Sequence, residues 1–127
     1  MSDFVPQTFT LTRADLLAYA EASGDHNPIH SSDEVAAAVG LPGVIAHGML
    51  TMGLAAAAVS HWTDGAEVLE LGTKFTSPVV VPATGAAEVV IGVKSAKHVD
   101  DTLTLVLEAT CDGQRVLGNP KAVVRVG

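Results

Sequence analysis

The stretch AHGMLTMGLAAAAVSHW, residues 46–62, decides the fold. Met49, Leu50, Met52, Leu54, the alanines at 55 to 58 and Val59 would place apolar side chains on almost every side of a helix. Such a helix has no face to give to water, so other structure must enclose it. Gly53 and the four alanines keep its surface low and allow a sheet to approach closely. The apolar run from Val44 to Trp62 carries His47, Thr51, Ser60 and His61 and is marginal in length for a bilayer. A buried core helix is therefore expected, and no membrane span.

Outward from that helix the chain divides in two. Toward the C-terminus, Thr63-Asp64-Gly65 reads as a turn, and long β-type runs follow at about 68–77, 85–96, 102–111 and 115–126. Asp112-Gly113 is a hairpin signal between the last two, and residues 98–101 read as a polar turn of the same kind. Pro78 and Pro82 bracket Val79 to Val81 and predict a bend or an edge there.

Toward the N-terminus the reading is a short strand at 8–11, then Thr12 as N-cap with Asp15 in a capping box. The helix that follows stops at Gly24. Ser31 with Glu34 predicts a second capping box on a short helix ending at Gly40, and a loop from Leu41 leads to the apolar helix. The periodicity predicts an α+β class with one enclosed helix.

Composition limits what the chain can do. Its 127 residues are 48% hydrophobic and 17% charged, which fits one compact domain over residues 1–127 and excludes a disordered tail. The formal charge is −7, and the seven Lys and Arg residues are scattered, so nucleic acid is not an expected partner. The lone Cys111 lies in an alternating apolar segment and reads as a buried strand thiol. The N-terminus shows neither a basic n-region nor a long apolar stretch, which predicts a cytoplasmic protein.

The segment YAEASGDHNPIH, residues 19–30, carries the chemistry. Asp25 and His30 share a loop that Asn27-Pro28 folds back between them. A carboxylate and an imidazole held that way can share one water, one taking its proton while the other orients it. The plainer alternative is that Asp25 and Asn27 close Asx-turns and His30 caps the next helix. Gly48, at the start of the apolar helix, would present a backbone N–H to an approaching carbonyl, or serve only close packing. His47 either shapes that site or makes a structural hydrogen bond. His26 is expected to face solvent, His61 to sit at the helix C-terminus and His98 in a turn. The Leu41-Pro42-Gly43 loop either borders a substrate tunnel or is a plain turn. No metal-ligand spacing, P-loop or dinucleotide fingerprint is present, so no metal and no cofactor are expected.

Taken together, Gly24-Asp25-His26-Asn27-Pro28-Ile29-His30 resembles the G-D-x-N-P-[LIV]-H signature of the MaoC-like dehydratases and (R)-specific enoyl-CoA hydratases. His47-Gly48-Met49 and the run Phe75 to Pro82 match further segments of that family. The run HGMLTMG, residues 47–53, looks particularly like the B-type subunits of actinobacterial (3R)-hydroxyacyl-ACP dehydratases. The resemblance implies a hotdog fold, a long antiparallel sheet wrapped around one buried central helix. It implies a hydro-lyase interconverting (R)-3-hydroxyacyl and trans-2-enoyl thioesters of CoA or acyl carrier protein. Asp25 and His30 would be catalytic, the Gly48 N–H the oxyanion donor, and Asn27 and His47 supporting. The partners implied are a second copy of the chain or another hotdog subunit, and an acyl-binding subunit without turnover is the alternative. Ala56 departs from the pattern, standing where some relatives have a serine that supports the aspartate; Thr51 or backbone groups would have to replace it.

Overall fold

The computed structural model describes residues 4–126. Strand β1 (Gln7–Leu11) leads into α1 (Arg13–Ser23), whose start is fixed by the expected capping box: Thr12 Oγ1 accepts from the Asp15 N–H, and the Asp15 carboxylate accepts from the Thr12 N–H at 2.8 Å. Gly24 ends α1 in the left-handed conformation at φ 79°, where a side chain would be strained. A 3-10 turn (Pro28–His30) and the short α2 (Asp33–Ala38) follow. The α2 cap is Ser32, whose hydroxyl accepts from the Val35 N–H, and not Ser31 as the spacing to Glu34 predicted. The 3-10 turn consumes Ser31, whose N–H bonds the Pro28 carbonyl and so sets the helix start one residue later.

The central helix α3 runs Gly48–Trp62, two residues shorter than expected. Ile45 and Ala46 are drawn into extended pairing with the segment between the two prolines: Ile45 bridges Val80, and the Ala46 N–H bonds the Val79 carbonyl at 2.9 Å. His47 is therefore the N-cap and Gly48 the first helical residue. Four long strands come next in the predicted order: β2 (Glu67–Phe75), β3 (Ala87–Val99), β4 (Thr102–Cys111) and β6 (Leu117–Arg125), with a two-residue β5 (Gln114–Arg115). His98 lies in β3, opposite Leu103 of β4, and not in a turn. The reversal tightens to Asp100-Asp101, with Asp100 at φ 53°. Asp112-Gly113 forms the expected hairpin, both residues at positive φ.

The strands make one antiparallel sheet in the order β1-β3-β4-β6-β2, with β5 off β4. Its inner face and α3 share a core: Ala55, Ala58, Val59 and Trp62 of the helix meet Val89, Ile91, Leu105, Leu107, Ala122 and Val124 of the sheet. Cys111 is buried in β4, and burial raises its thiol pKa above the usual range. This is the hotdog arrangement. The helix is covered on one side only, however. Met49, Gly53, Ala57 and Ser60 face outward, although Met49 and its neighbours are as apolar as the core side. Among the described residues no helix is long and apolar enough to cross a membrane.

Asp33 ties the N-terminal elements to the rest. Its carboxylate accepts from Arg13 Nη2 at 2.9 Å and from the Val44 N–H at 3.1 Å, while Arg13 Nε donates to the Val81 carbonyl at 2.7 Å. The Arg13 hydrogen bond, then the Val44 N–H, hold the Asp33 pKa below its usual 3.8. A depressed carboxylate contributes stability above its unfolded pKa and loses it as pH falls through the folded value. Asp33→Asn should thus lower the melting temperature at neutral pH. The difference from wild type should shrink below pH 3.8 and vanish under the folded pKa, as thermal melts across an acid series would show.

Candidate active site

The loop between α1 and the 3-10 turn is folded by its own side chains. The Asp25 N–H donates to Ser23 Oγ, the Asn27 N–H to Asp25 Oδ1 and the Ile29 N–H to Asn27 Oδ1, each at 3.2 Å. Both Asx-turns anticipated as the plain alternative therefore exist. They use only one carboxylate oxygen of Asp25. The other, Oδ2, faces His30 Nε2 at 4.0 Å.

His30 is buried, and its orientation is set from the far side: Nδ1 lies 2.7 Å from the Ile45 carbonyl. A carbonyl only accepts, so Nδ1 carries the hydrogen and the neutral ring turns a bare Nε2 lone pair toward Asp25. The 4.0 Å separation is too long for a direct hydrogen bond. It is short enough for one water, at about 2.8 Å from each atom, to bridge them. Both atoms are then acceptors, so a water between them donates one hydrogen bond to each and keeps its oxygen lone pairs free. The Asp25 carboxylate is half exposed, at 52%, so solvent and ligand can reach this point.

His47 and Gly48 form the opposite wall. His47 is 2% exposed; its Nε2 lies 3.1 Å from the Asp25 main-chain carbonyl, and its ring stacks on His30 at 3.8 Å between centroids. Tyr19 of α1 also packs on that ring, tilted, at 4.8 Å between centroids. Gly48 opens α3, where an N–H has no partner within the helix. Its lack of a side chain lets Phe75 come close: a Cβ there would stand 3.1 Å from the Phe75 ring and would press it outward by a few tenths of an ångström. Two hollows meet at Gly48 and Phe75. One, of about 380 Å³, is lined by His30, Thr51 and apolar residues including Ile45, Val79 and Val116. The other, of about 460 Å³, holds Tyr19, Ser23, Asp25 and His47.

The sequence-derived residues Asp25, His30, His47 and Gly48 are thus brought together, with Asn27 holding the loop beneath them. Phe75 was not identified from sequence as part of the site, although it begins one of the family-like segments. Ala56 offers Asp25 no polar group, and Thr51 turns its hydroxyl toward the His47 carbonyl at 3.5 Å, so the described support of the Asp25 carboxylate comes from the Asn27 N–H. The Leu41-Pro42-Gly43 loop lines neither hollow. His26 is exposed as expected, and His61 stands in the last turn of α3, at the helix C-terminus as expected.

Donor atoms of Asp25, His30 and His47 lie within 4.8 Å of one another. The two rings, however, are only 22° from parallel and stacked. Imidazole nitrogens bind metal in the ring plane, and at this tilt and spacing the two planes do not meet within bonding distance of the nitrogens. The trio does not fit a metal centre.

With this geometry in view, residues 3–112 match the model of the MaoC like domain. The chain belongs to the MaoC-like family. It is 38% identical over 82 residues to the 3-hydroxyacyl-thioester dehydratase X of Mycobacterium tuberculosis, covering 65% of this chain and 29% of that protein. It is 30% identical over 119 residues to the 3-hydroxybutyryl-CoA dehydratase of Methylorubrum extorquens, covering 91% of this chain and 73% of that one. A solved MaoC-like dehydratase superposes with a TM-score of 0.91 at 38% identity, over 97% of this chain and 39% of its own. The chain therefore spans under a third of the mycobacterial relative.

The ring placement of His30 is directly measurable. Long-range nitrogen–proton correlation of the neutral imidazole should give the Nδ1–H form. An Nε2–H pattern would contradict the bond to Ile45.

Proposed function

We propose that this chain is a hydro-lyase that interconverts (R)-3-hydroxyacyl and trans-2-enoyl thioesters, acting in the cytoplasm. One observation carries the reading: Nε2 of His30 and Oδ2 of Asp25 face each other across 4.0 Å, and Gly48, the first residue of α3, lines a hollow with each of them. The acyl group takes the apolar hollow, with its thioester carbonyl oxygen on Gly48. In hydration, the water oxygen held by the pair bonds to C3, and the π electrons of C2=C3 move toward the thioester oxygen. The water's released proton passes to the pair, and the pair returns a proton to C2. Charge building on the thioester oxygen meets the Gly48 N–H, a donor of the kind worth about 3 kcal/mol in oxyanion sites. Dehydration reverses each step. Asn27 keeps the loop folded, and His47 supports Asp25.

A partner is also part of this reading. Among the described residues strand β2 bonds β6 on one side only, and Val68, Leu69 and Phe75 on it are exposed together with Met49 of α3. A second hotdog chain pairing along β2 would cover this edge and the bare side of the helix. Either a second copy or a different hotdog partner satisfies the chemistry.

Asp25→Asn and His30→Ala should each reduce hydration of enoyl thioesters by roughly 10²- to 10⁴-fold, read as loss of enoyl absorbance. Equal rates in wild type and both variants, across short and medium acyl chains, would remove the assignment. Light scattering on the chain expressed alone should give a mass above that of the monomer. A fully active monomer would count against pairing along β2.

A further inference from the structure

We propose that His47 is the positioning residue of the site: as a fixed Nε2–H tautomer it ties the main chain of Asp25 to the N-terminus of α3. The inference rests on the proposed function and names what holds its aspartate in place.

Asp25 sits in an exposed loop, and most of its bonds are local, reaching only Ser23 and Asn27. Those contacts shape the loop but tie Asp25 to no other element. The bond from His47 Nε2 to the Asp25 carbonyl differs, because it crosses 22 positions of sequence and joins the loop to α3. His47 is itself immobilised from several directions. Its carbonyl accepts from the Leu50 and Thr51 N–H groups, and the preceding Ala46 N–H is bonded to Val79. Its ring packs against both Tyr19, at 4.8 Å, and His30, at 3.8 Å.

Two independent observations fix the tautomer. The Asp25 carbonyl can only accept, so Nε2 carries the hydrogen. Nδ1 is buried and has no hydrogen-bond partner among the described residues, so a hydrogen placed there would find no protein acceptor in them. The alternative tautomer would lose the bond to Asp25 and bury an N–H at once. The same ring therefore aligns both members of the pair. Its edge holds Asp25, and its face backs His30.

Two variants separate these contributions. His47→Phe keeps a flat ring against Tyr19 and His30 but removes the donor, whereas His47→Gln loses the ring and keeps an amide N–H at about the position of Nε2. With a short-chain enoyl-CoA as probe, His47→Phe should lower kcat by about 10²-fold with KM nearly unchanged, the cost of a misplaced reacting group. His47→Gln should recover most of that loss. If His47→Phe is as active as wild type, or His47→Gln is no better than His47→Phe when both melt near wild type, the proposal is overturned. Ring nitrogen NMR of wild type tests it without turnover. The Nε2–H form of His47 supports the proposal, and the Nδ1–H form overturns it. Should wild type itself hydrate no enoyl thioester, the proposed activity fails, and the NMR result alone decides whether His47 holds the loop.

Discussion

The close approach of α3 to the inner face of the sheet governs the rest of the molecule. Ala55 and Ala58 put almost nothing between helix backbone and strands, and Leu105, Leu107 and Val124 fill the space that remains. Bulkier residues at those two helix positions would lift α3 away from the sheet. Because β2 leaves directly from the end of α3 and returns beside it, helix height also sets where Phe75 crosses Gly48. The position of the helix N-terminus, and with it the meeting point of the two hollows, follows from how deeply a pair of alanines allows it to sit.

The loop that holds Asp25 shows how one carboxylate serves structure and chemistry together. Oδ1 completes an Asx-turn, which fixes the side-chain rotamer without any cation nearby. Oδ2 is left for the space before His30. Likewise His30 gives Nδ1 to a main-chain carbonyl and leaves Nε2 open. In each residue one polar atom orients the other. Main-chain groups do this aligning where a serine on α3 could have done so, and Ala56 is thereby tolerated.

Much of this was legible in the residues. Local chemistry announced the Thr12–Asp15 box, the stop at Gly24 and the Asp112-Gly113 hairpin, because each is decided within four positions. The apolar run announced the central helix, but not its first turn: Ile45 and Ala46 have helical neighbours in sequence and strand-like partners in space, and the partners prevail. Ser32 displaced Ser31 as cap for a similar reason, since the 3-10 turn at Pro28 takes one more residue than simple spacing allows. At the site, five positions between Asp25 and His30 within a folded loop sufficed to foresee their convergence. The bond from His47 to the Asp25 carbonyl could not be foreseen, because any residue at position 25 supplies a carbonyl and no side-chain pattern records it. Phe75 escaped for a related reason. Its contact is with the absence of a side chain at Gly48.

The register of β2 with β6 shifts twice, through an extra β2 residue between Val68 and Glu70 and an extra β6 residue opposite Gly72 to Lys74. An unbroken apolar border would accept almost any extended peptide and invite aggregation. These kinks, with Glu67, Glu70 and Lys74 set among the apolar residues, make the border uneven in both contour and charge. An extended peptide laid along β2 would therefore meet a border that is not a regular ladder.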